Sequence, residues 1–231
     1  MVAIVTGASG GIGKAICQTL ARDGYDIVLL AQDRATLTKG AKALQHIYPK
    51  QHFYTAVVDL EKPQEIRTFF LRKDMPFSQV TVLVNNAGVS IGDDIFSISE
   101  KDWDTSLAVN LKAPFLLMRE IIRWMKKYKL SGSIINIASI AAFIGAKKPN
   151  YAASKAGLIG LTKAVARSVG QYNIRVNAIA PGAVDTDLIA DWNEHKRKEV
   201  ISQTVLKKIA RPEEIAETVS FLASQPCALP L

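Results

Sequence analysis

Tyr151 and Lys155 stand four apart in a segment, residues 150–170, whose Ala, Leu and Ile spacing predicts a helix. At that separation both side chains share one face, a turn apart. A phenol with a pKa of about 10 is a weak acid at neutral pH, and a neighbouring ammonium lowers that value by stabilising the phenolate. Bringing it to about 7 takes roughly 4 kcal/mol of differential stabilisation, more than one lysine supplies. A second cation, such as an oxidised nicotinamide ring, would make up the difference, so the pair makes most sense beside a bound redox cofactor. A surface packing pair is the bland alternative for Tyr and Lys at this spacing.

The run Thr6-Gly7-Ala8-Ser9-Gly10-Gly11-Ile12-Gly13-Lys14 follows a short apolar segment and opens a helix. Glycines there permit a tight turn and let backbone N–H groups reach a pyrophosphate, whose charge the helix N-terminus favours. The spacing Gly7-x-x-x-Gly11-x-Gly13 departs from the G-x-G-x-x-G dinucleotide fingerprint, so a ligand-free glycine turn remains the alternative. Its place at the first strand-to-helix turn favours the phosphate.

The rest of the chain must hold these groups. Short β-branched apolar runs at residues 3–6, 26–31, 52–58, 80–85, 132–138 and 175–180 alternate with segments of helical period. That pattern predicts an α/β fold, a Rossmann-type doubly wound parallel sheet with helices on both faces. One long helix is expected from near Ser99, where Ser99 and Asp102 resemble a capping box, to Lys129, with a kink at Pro114. Pro212-Glu213-Glu214 opens the last helix. No repeat or linker divides the 231 residues, which are expected to form a single domain, 1–231.

Composition is ordinary for a globular protein, 48% hydrophobic and 22% charged. Cys17 and Cys227 are too few and too far apart for a disulfide framework or a cysteine zinc site, and no metal site is expected. No signal-peptide pattern and no long apolar span appear, so a cytoplasmic protein without membrane partners is expected. The net charge of +8 favours acidic partners. Its basic residues are scattered, with runs only at 126–129 and 195–198 and no interleaved aromatic platforms, which speaks against nucleic acid.

Together these features resemble the short-chain dehydrogenase/reductase family over nearly the whole chain. Its motifs appear in order: Thr6-Gly7-x-x-x-Gly11-Ile12-Gly13, Asn85-Asn86-Ala87-Gly88, Asn110, Ser139, Tyr151-x-x-x-Lys155 and Pro181-Gly182 with Thr186 beyond. Residues 150–166 and 175–187 look most like the 3-oxoacyl-[acyl carrier protein] reductase branch, which serves fatty acid biosynthesis. The resemblance implies that Tyr151 is the general acid toward a carbonyl oxygen, or the base in reverse, and that Ser139 orients that oxygen. It implies that Lys155 holds the nicotinamide ribose and that Asn110 positions a water for proton resupply. Gly7, Ser9, Gly11, Ile12 and Gly13 would line the phosphates. Gln32, Asp59, Leu60, Asn86, Ala87 and Gly88 would lie along the adenosine half, and Pro181, Gly182, Val184 and Thr186 beside the nicotinamide.

Family members using NAD usually carry an acid where Ala31 stands, at the end of the second strand. Here Gln32 follows it, and Lys14 and Arg34 are candidate partners for a 2′-phosphate, opposed by Asp33. The balance leans to NADP(H), with NAD(H) as the alternative. Two departures stand out. Ser139 precedes Tyr151 by one residue fewer than in close relatives, so the intervening loop is expected to be altered. After Phe221-Leu222-Ala223-Ser224 the family adds a further strand, and Pro226 and Pro230 speak against one here. A missing edge strand implies a homo-oligomer that is a dimer or a weakened tetramer.

Substrate choice is expected in residues 89–96, 140–149 and 188–204, the last a lid carrying Ile189 and Trp192. The leading function is NADPH-dependent reduction of 3-oxoacyl thioesters, with the two basic runs docking an acidic carrier protein. An alcohol, polyol or sterol dehydrogenase is the alternative within the family, and a non-catalytic dinucleotide sensor or scaffold the alternative outside it.

Overall fold

A computed structural model describes residues 1–224. Alternation of strand and helix begins with β1 (Val2–Thr6), α1 (Gly11–Arg22), β2 (Asp26–Ala31), α2 (Arg34–Ile47), β3 (Phe53–Val57), α3 (Pro63–Phe69) and β4 (Val80–Asn85). It continues through α4 (Glu100–Leu107), α5 (Ala113–Tyr128), β5 (Gly132–Ile137), α6 (Ala141–Ile144), α7 (Pro149–Val169), β6 (Ile174–Ile179), α8 (Glu194–Gln203) and α9 (Pro212–Ala223). The six strands form one parallel sheet in the order β3-β2-β1-β4-β5-β6. Each expected strand is present, its ends within a residue of the sequence reading.

Both faces of the sheet are covered, as strands with continuous apolar runs require. On β1, Val2 and Ile4 point into a core completed by Leu117, Ile121 and Met125 of α5 and Ile66 of α3. Ala3 and Val5 face the opposite core, with Ile16 and Leu20 of α1 and Ala216 and Val219 of α9. The period of two in the strand thus divides its side chains between two packed layers. Each fully buried Leu or Ile contributes roughly 1.5–3 kcal/mol.

Polar residues end the helices where the sequence suggests. Asp33 caps α2 by accepting from the Thr36 N–H at 2.7 Å, and Ser99 caps α4 by accepting from the Asp102 N–H at 3.0 Å. Asp102 does not complete a capping box, because its carboxylate accepts a hydrogen bond from the Ser99 hydroxyl at 2.7 Å instead of reaching back to the backbone. The long helix expected from Ser99 is present in three pieces: α4, a π turn over Ala108–Lys112, and α5. Pro114 sits in the first turn of α5, so the wider turn just before it meets the missing N–H and the ring.

β3 and β6 are the edges of the sheet among the described residues. The expected loss of a further edge strand concerns residues 225–231, which lie outside them, as does Cys227.

Candidate active site

The strand order reverses between β1 and β4, so the loops leaving these two strands diverge and open a crevice at their carboxyl ends. Thr6 stitches that point. Its Oγ1 accepts from the Asn86 and Ala87 N–H groups, each at 3.0 Å, while Asn86 Nδ2 donates to the Thr6 carbonyl at 2.9 Å. Gly7 and Gly11 adopt φ of +62° and +45°, which L side chains rarely take. A Cβ on Gly13 would lie 2.0 Å from the Gly7 carbonyl oxygen, and one on Gly11 would lie 2.9 Å from Thr186 Cγ2. These glycines let α1 pack onto its own turn and let the segment after β6 close over it. Ser9 lies in the same turn, and Gln32 donates to the Asp59 carboxylate at 2.8 Å, with Leu60 buried beside it in sequence.

A cleft of about 700 Å³ opens there. Ile12, Asn86, Gly88, Ser139, Tyr151, Lys155, Pro181, Gly182, Val184 and Thr186 line it, so residues from across the sequence converge on one wall system. The backbone of β5 stays paired past its end, through Ala138 N–H to the Ile179 carbonyl at 2.7 Å and Ile140 N–H to the Pro181 carbonyl at 2.9 Å. Ser139 is thereby held between two anchored residues. Tyr151 enters on the first turn of α7 and lines the same cleft as Ser139, whose hydroxyl accepts from the Ala141 N–H at 3.2 Å. A parallel bridge between Val184 and Ala210 fixes the strand that carries Val184 and Thr186.

Lys155 is only 4% exposed, and its Nζ donates to the Ile137 carbonyl at 2.8 Å. Burial pulls its pKa from 10.5 down to about 8. The Nζ lies 5.8 Å from the centre of the Tyr151 ring. Burial pushes the Tyr151 phenol up, against a smaller lowering from the Ser139 hydrogen bond. This corrects the sequence expectation in one respect: Lys155 by itself does not acidify the phenol, which stands as a neutral donor because both groups are shielded from water.

Asn110, in the π turn, is fully buried. Its Oδ1 accepts from the Val89 N–H at 2.8 Å, and its Nδ2 donates to the Val89 carbonyl at 2.9 Å and the Ser154 hydroxyl at 3.0 Å. Both amide hydrogens are thus engaged by protein, leaving only the second lone pair of Oδ1 for a water.

Three features fit a dinucleotide. Gly10 precedes α1 with no side-chain cap, and no acid lies in the first turn, so the helix offers free N–H groups to a phosphate. Lys155 spends one of its three donors on Ile137 and faces the cleft with the rest. Asp33, the acid that would oppose a 2′-phosphate, is committed to capping α2.

The segments expected to border the substrate do line the cleft, through Ser90, Ile140, Lys147, Lys148, Leu188, Ile189, Trp192 and Val200. Lys148 fell within a segment expected to border the substrate but was given no role, and Asn150 was read only as the start of a helix. The basic run 126–129 ends α5 and precedes β5, whereas the cleft lies at the far end of that strand. In the run 195–198, Lys196, Arg197 and Lys198 are paired with Glu199, Asp185 and Glu194. Among the described residues no cluster of His, Cys, Asp and Glu could hold a metal, and no helix is long and apolar enough to cross a membrane.

A family model described as short chain dehydrogenase matches residues 1–197. The chain is 36% identical to the 3-oxoacyl-[acyl-carrier-protein] reductase of Vibrio cholerae, over 98% of this chain and 91% of that protein. It is 35% identical to the enzyme of that name from Thermotoga maritima, over 96% and 90%. A crystal structure from Beutenbergia cavernae, provisionally named an NAD(P)-dependent gluconate 5-dehydrogenase and holding NADP at low occupancy, superposes with a TM-score of 0.88. It is 31% identical, covering 96% of this chain and 89% of that one.

Proposed function

The chain belongs to the short-chain dehydrogenase family, and from that premise we propose that it is an NADP(H)-dependent reductase of 3-oxoacyl thioesters. When bound, the dinucleotide would supply the hydride and, once oxidised, a positively charged ring. Tyr151 gives its proton to the substrate carbonyl oxygen as the carbonyl carbon is reduced, forming the 3-hydroxy product. Ser139 hydrogen-bonds the same oxygen and aligns it. Lys155 holds the ribose hydroxyls and, with the positive ring, stabilises the phenolate left behind, which then regains a proton from solvent. The observation that carries this reading is the convergence of Ser139, the partly buried Tyr151 phenol and the buried Lys155 on one cleft.

The thioester is favoured over a polyol by the aliphatic side of the cleft, where Ile140, Leu188, Ile189 and Val200 offer no side-chain partners for a row of hydroxyls. The reductases named above support the same choice. An acidic carrier protein approaching this cleft meets α8 rather than the run 126–129, which lies at the other end of the sheet.

NADPH oxidation with an acetoacetyl thioester, set against 5-ketogluconate and a panel of ketones, tests the reading. Turnover of the thioester at the highest kcat/KM is expected, and Tyr151→Phe should lose it by at least ~10³-fold while NADPH still binds. Preference for the sugar acid would overturn the substrate, and a Phe variant of unchanged rate would overturn the mechanism.

A further inference from the structure

We propose that Lys148, together with Asn150, is a positioning residue that straps the loop after β4 to the entry of α7 and so fixes one wall of the substrate cleft. The inference rests on the reading of that cleft given above. Consecutive residues of the loop are each tied to one of two places, the π turn or the start of α7. Val89 is held through both its N–H and its carbonyl by Asn110. The Ser90 carbonyl accepts from Lys148 Nζ at 2.8 Å, and the Ile91 carbonyl from Asn150 Nδ2 at 3.2 Å. Asp93 pairs with Lys147 at 2.9 Å.

These ties are unequal. The Lys147–Asp93 pair is 71% and 61% exposed, and such pairs contribute little. Asn150 is fully buried, and its two amide hydrogens are shared among the Ile91 carbonyl, the Asp102 carbonyl and Ser106 Oγ, so one amide joins the loop, α4 and α7. Lys148 is partly buried, and among the described residues no carboxylate lies within ion-pair distance of it. Ordering so flexible a side chain toward a neutral carbonyl costs side-chain entropy that only the loop contact offsets. Ser90 and Lys148 both line the cleft, so their bond holds together the wall they form.

The strap reaches the reacting group through the backbone. Asn110 Nδ2 donates to Ser154 Oγ, and that hydroxyl donates to the Tyr151 carbonyl at 2.8 Å. Tyr151 is therefore flanked by Asn150 on one side and the Asn110–Ser154 relay on the other. A loop that drifts from α7 leaves the phenol without a fixed substrate surface opposite it, and small misplacements of this kind are expensive in rate.

The test is hydrogen–deuterium exchange on the whole protein without substrate, followed by steady-state kinetics. In Lys148→Met, which keeps the stem and removes the donor, amides in residues 88–93 should exchange roughly tenfold faster, the factor that a charge-assisted hydrogen bond supplies. Lys148→Arg should restore the slow rate. KM for the thioester should rise by a similar factor while kcat moves less and the NADPH Kd stays unchanged. Unchanged exchange in 88–93, acceleration spread evenly over α4 and α7, or a parallel loss of NADPH affinity would each overturn the assignment. The exchange result does not depend on which carbonyl is reduced, so a protein that turns over no thioester fails the substrate reading without touching the strap.

Discussion

Replacing Lys155 by methionine should stabilise the coenzyme-free protein while destroying its activity. The ammonium is 4% exposed, has one protein acceptor, and titrates at about 8 rather than 10.5 because burial disfavours its charge. At pH 7 that gap corresponds to a cost of about 3 kcal/mol for keeping the folded protein's lysine protonated. The unfolded chain binds the proton more tightly, so this group's contribution to stability is fully present above about pH 10.5 and is lost as the pH falls through about 8. The substituted methionine would keep an unbranched stem and carry no charge, but it would leave the Ile137 carbonyl without its donor, at a cost of roughly 1–3 kcal/mol. The absolute gain is therefore small, whereas the pH slope is not. Between pH 7 and pH 9.5 the advantage of Lys155→Met over wild type should shrink by about 2 kcal/mol. Urea unfolding of both proteins at the two pH values, without dinucleotide, measures it. A difference between variant and wild type that is the same at both pH values would refute the reasoning, since it would mean that the lysine is not held charged against burial.

The glycine turn yields a paired prediction. Gly13→Ala drives a methyl group toward the Gly7 carbonyl and should cost roughly 1–3 kcal/mol, while Gly160→Ala, on an open face of α7, should gain roughly 0.5–1 kcal/mol. Thermal unfolding ranks the two, and the reverse order would contradict the packing described. For the dinucleotide, the double variant Lys14→Ala with Arg34→Ala should raise the Kd for NADPH about tenfold more than that for NADH, through loss of charge-assisted contacts to the 2′-phosphate. Equal effects on both dinucleotides, read by fluorescence titration, would place the phosphate elsewhere.

The inner strands were legible because they are buried on both faces and read as apolar runs, as in Ile27, Val28, Leu29 and Leu30, while the edge strands β3 and β6, less buried, showed through their β-branched and aromatic residues and the repeating spacing. The candidate site was legible wherever a residue type is needed for its chemistry or its backbone: the phenol, the lysine, the glycines at positive φ. Less visible was anything decided by how elements meet. Thr6 looks like the end of a strand, yet its hydroxyl joins β1 to the loop after β4. Asn110 was expected to position a water, and nothing in its sequence context shows that its amide also holds Val89 and Ser154. Lys148 had only its place in a substrate-bordering segment to mark it, with no sign of the Ser90 carbonyl it donates to. The direction of the Tyr151 shift also escaped, because burial outweighs a neighbouring dipole only once the surrounding walls are in place.

The π turn at 108–112 makes the stretch from Ser99 to Tyr128 sensitive to length in a way that its composition does not betray. One residue more or fewer rotates everything downstream by about 100° around the helix axis. Deleting a residue to regularise the turn would swing either the Asn110 amide off Val89 or the stripe of Leu117, Ile121 and Met125 out of the sheet. Gene shuffling or loop grafting in this protein should therefore keep its crossovers out of this interval, where point changes are more readily absorbed than any shift in phase.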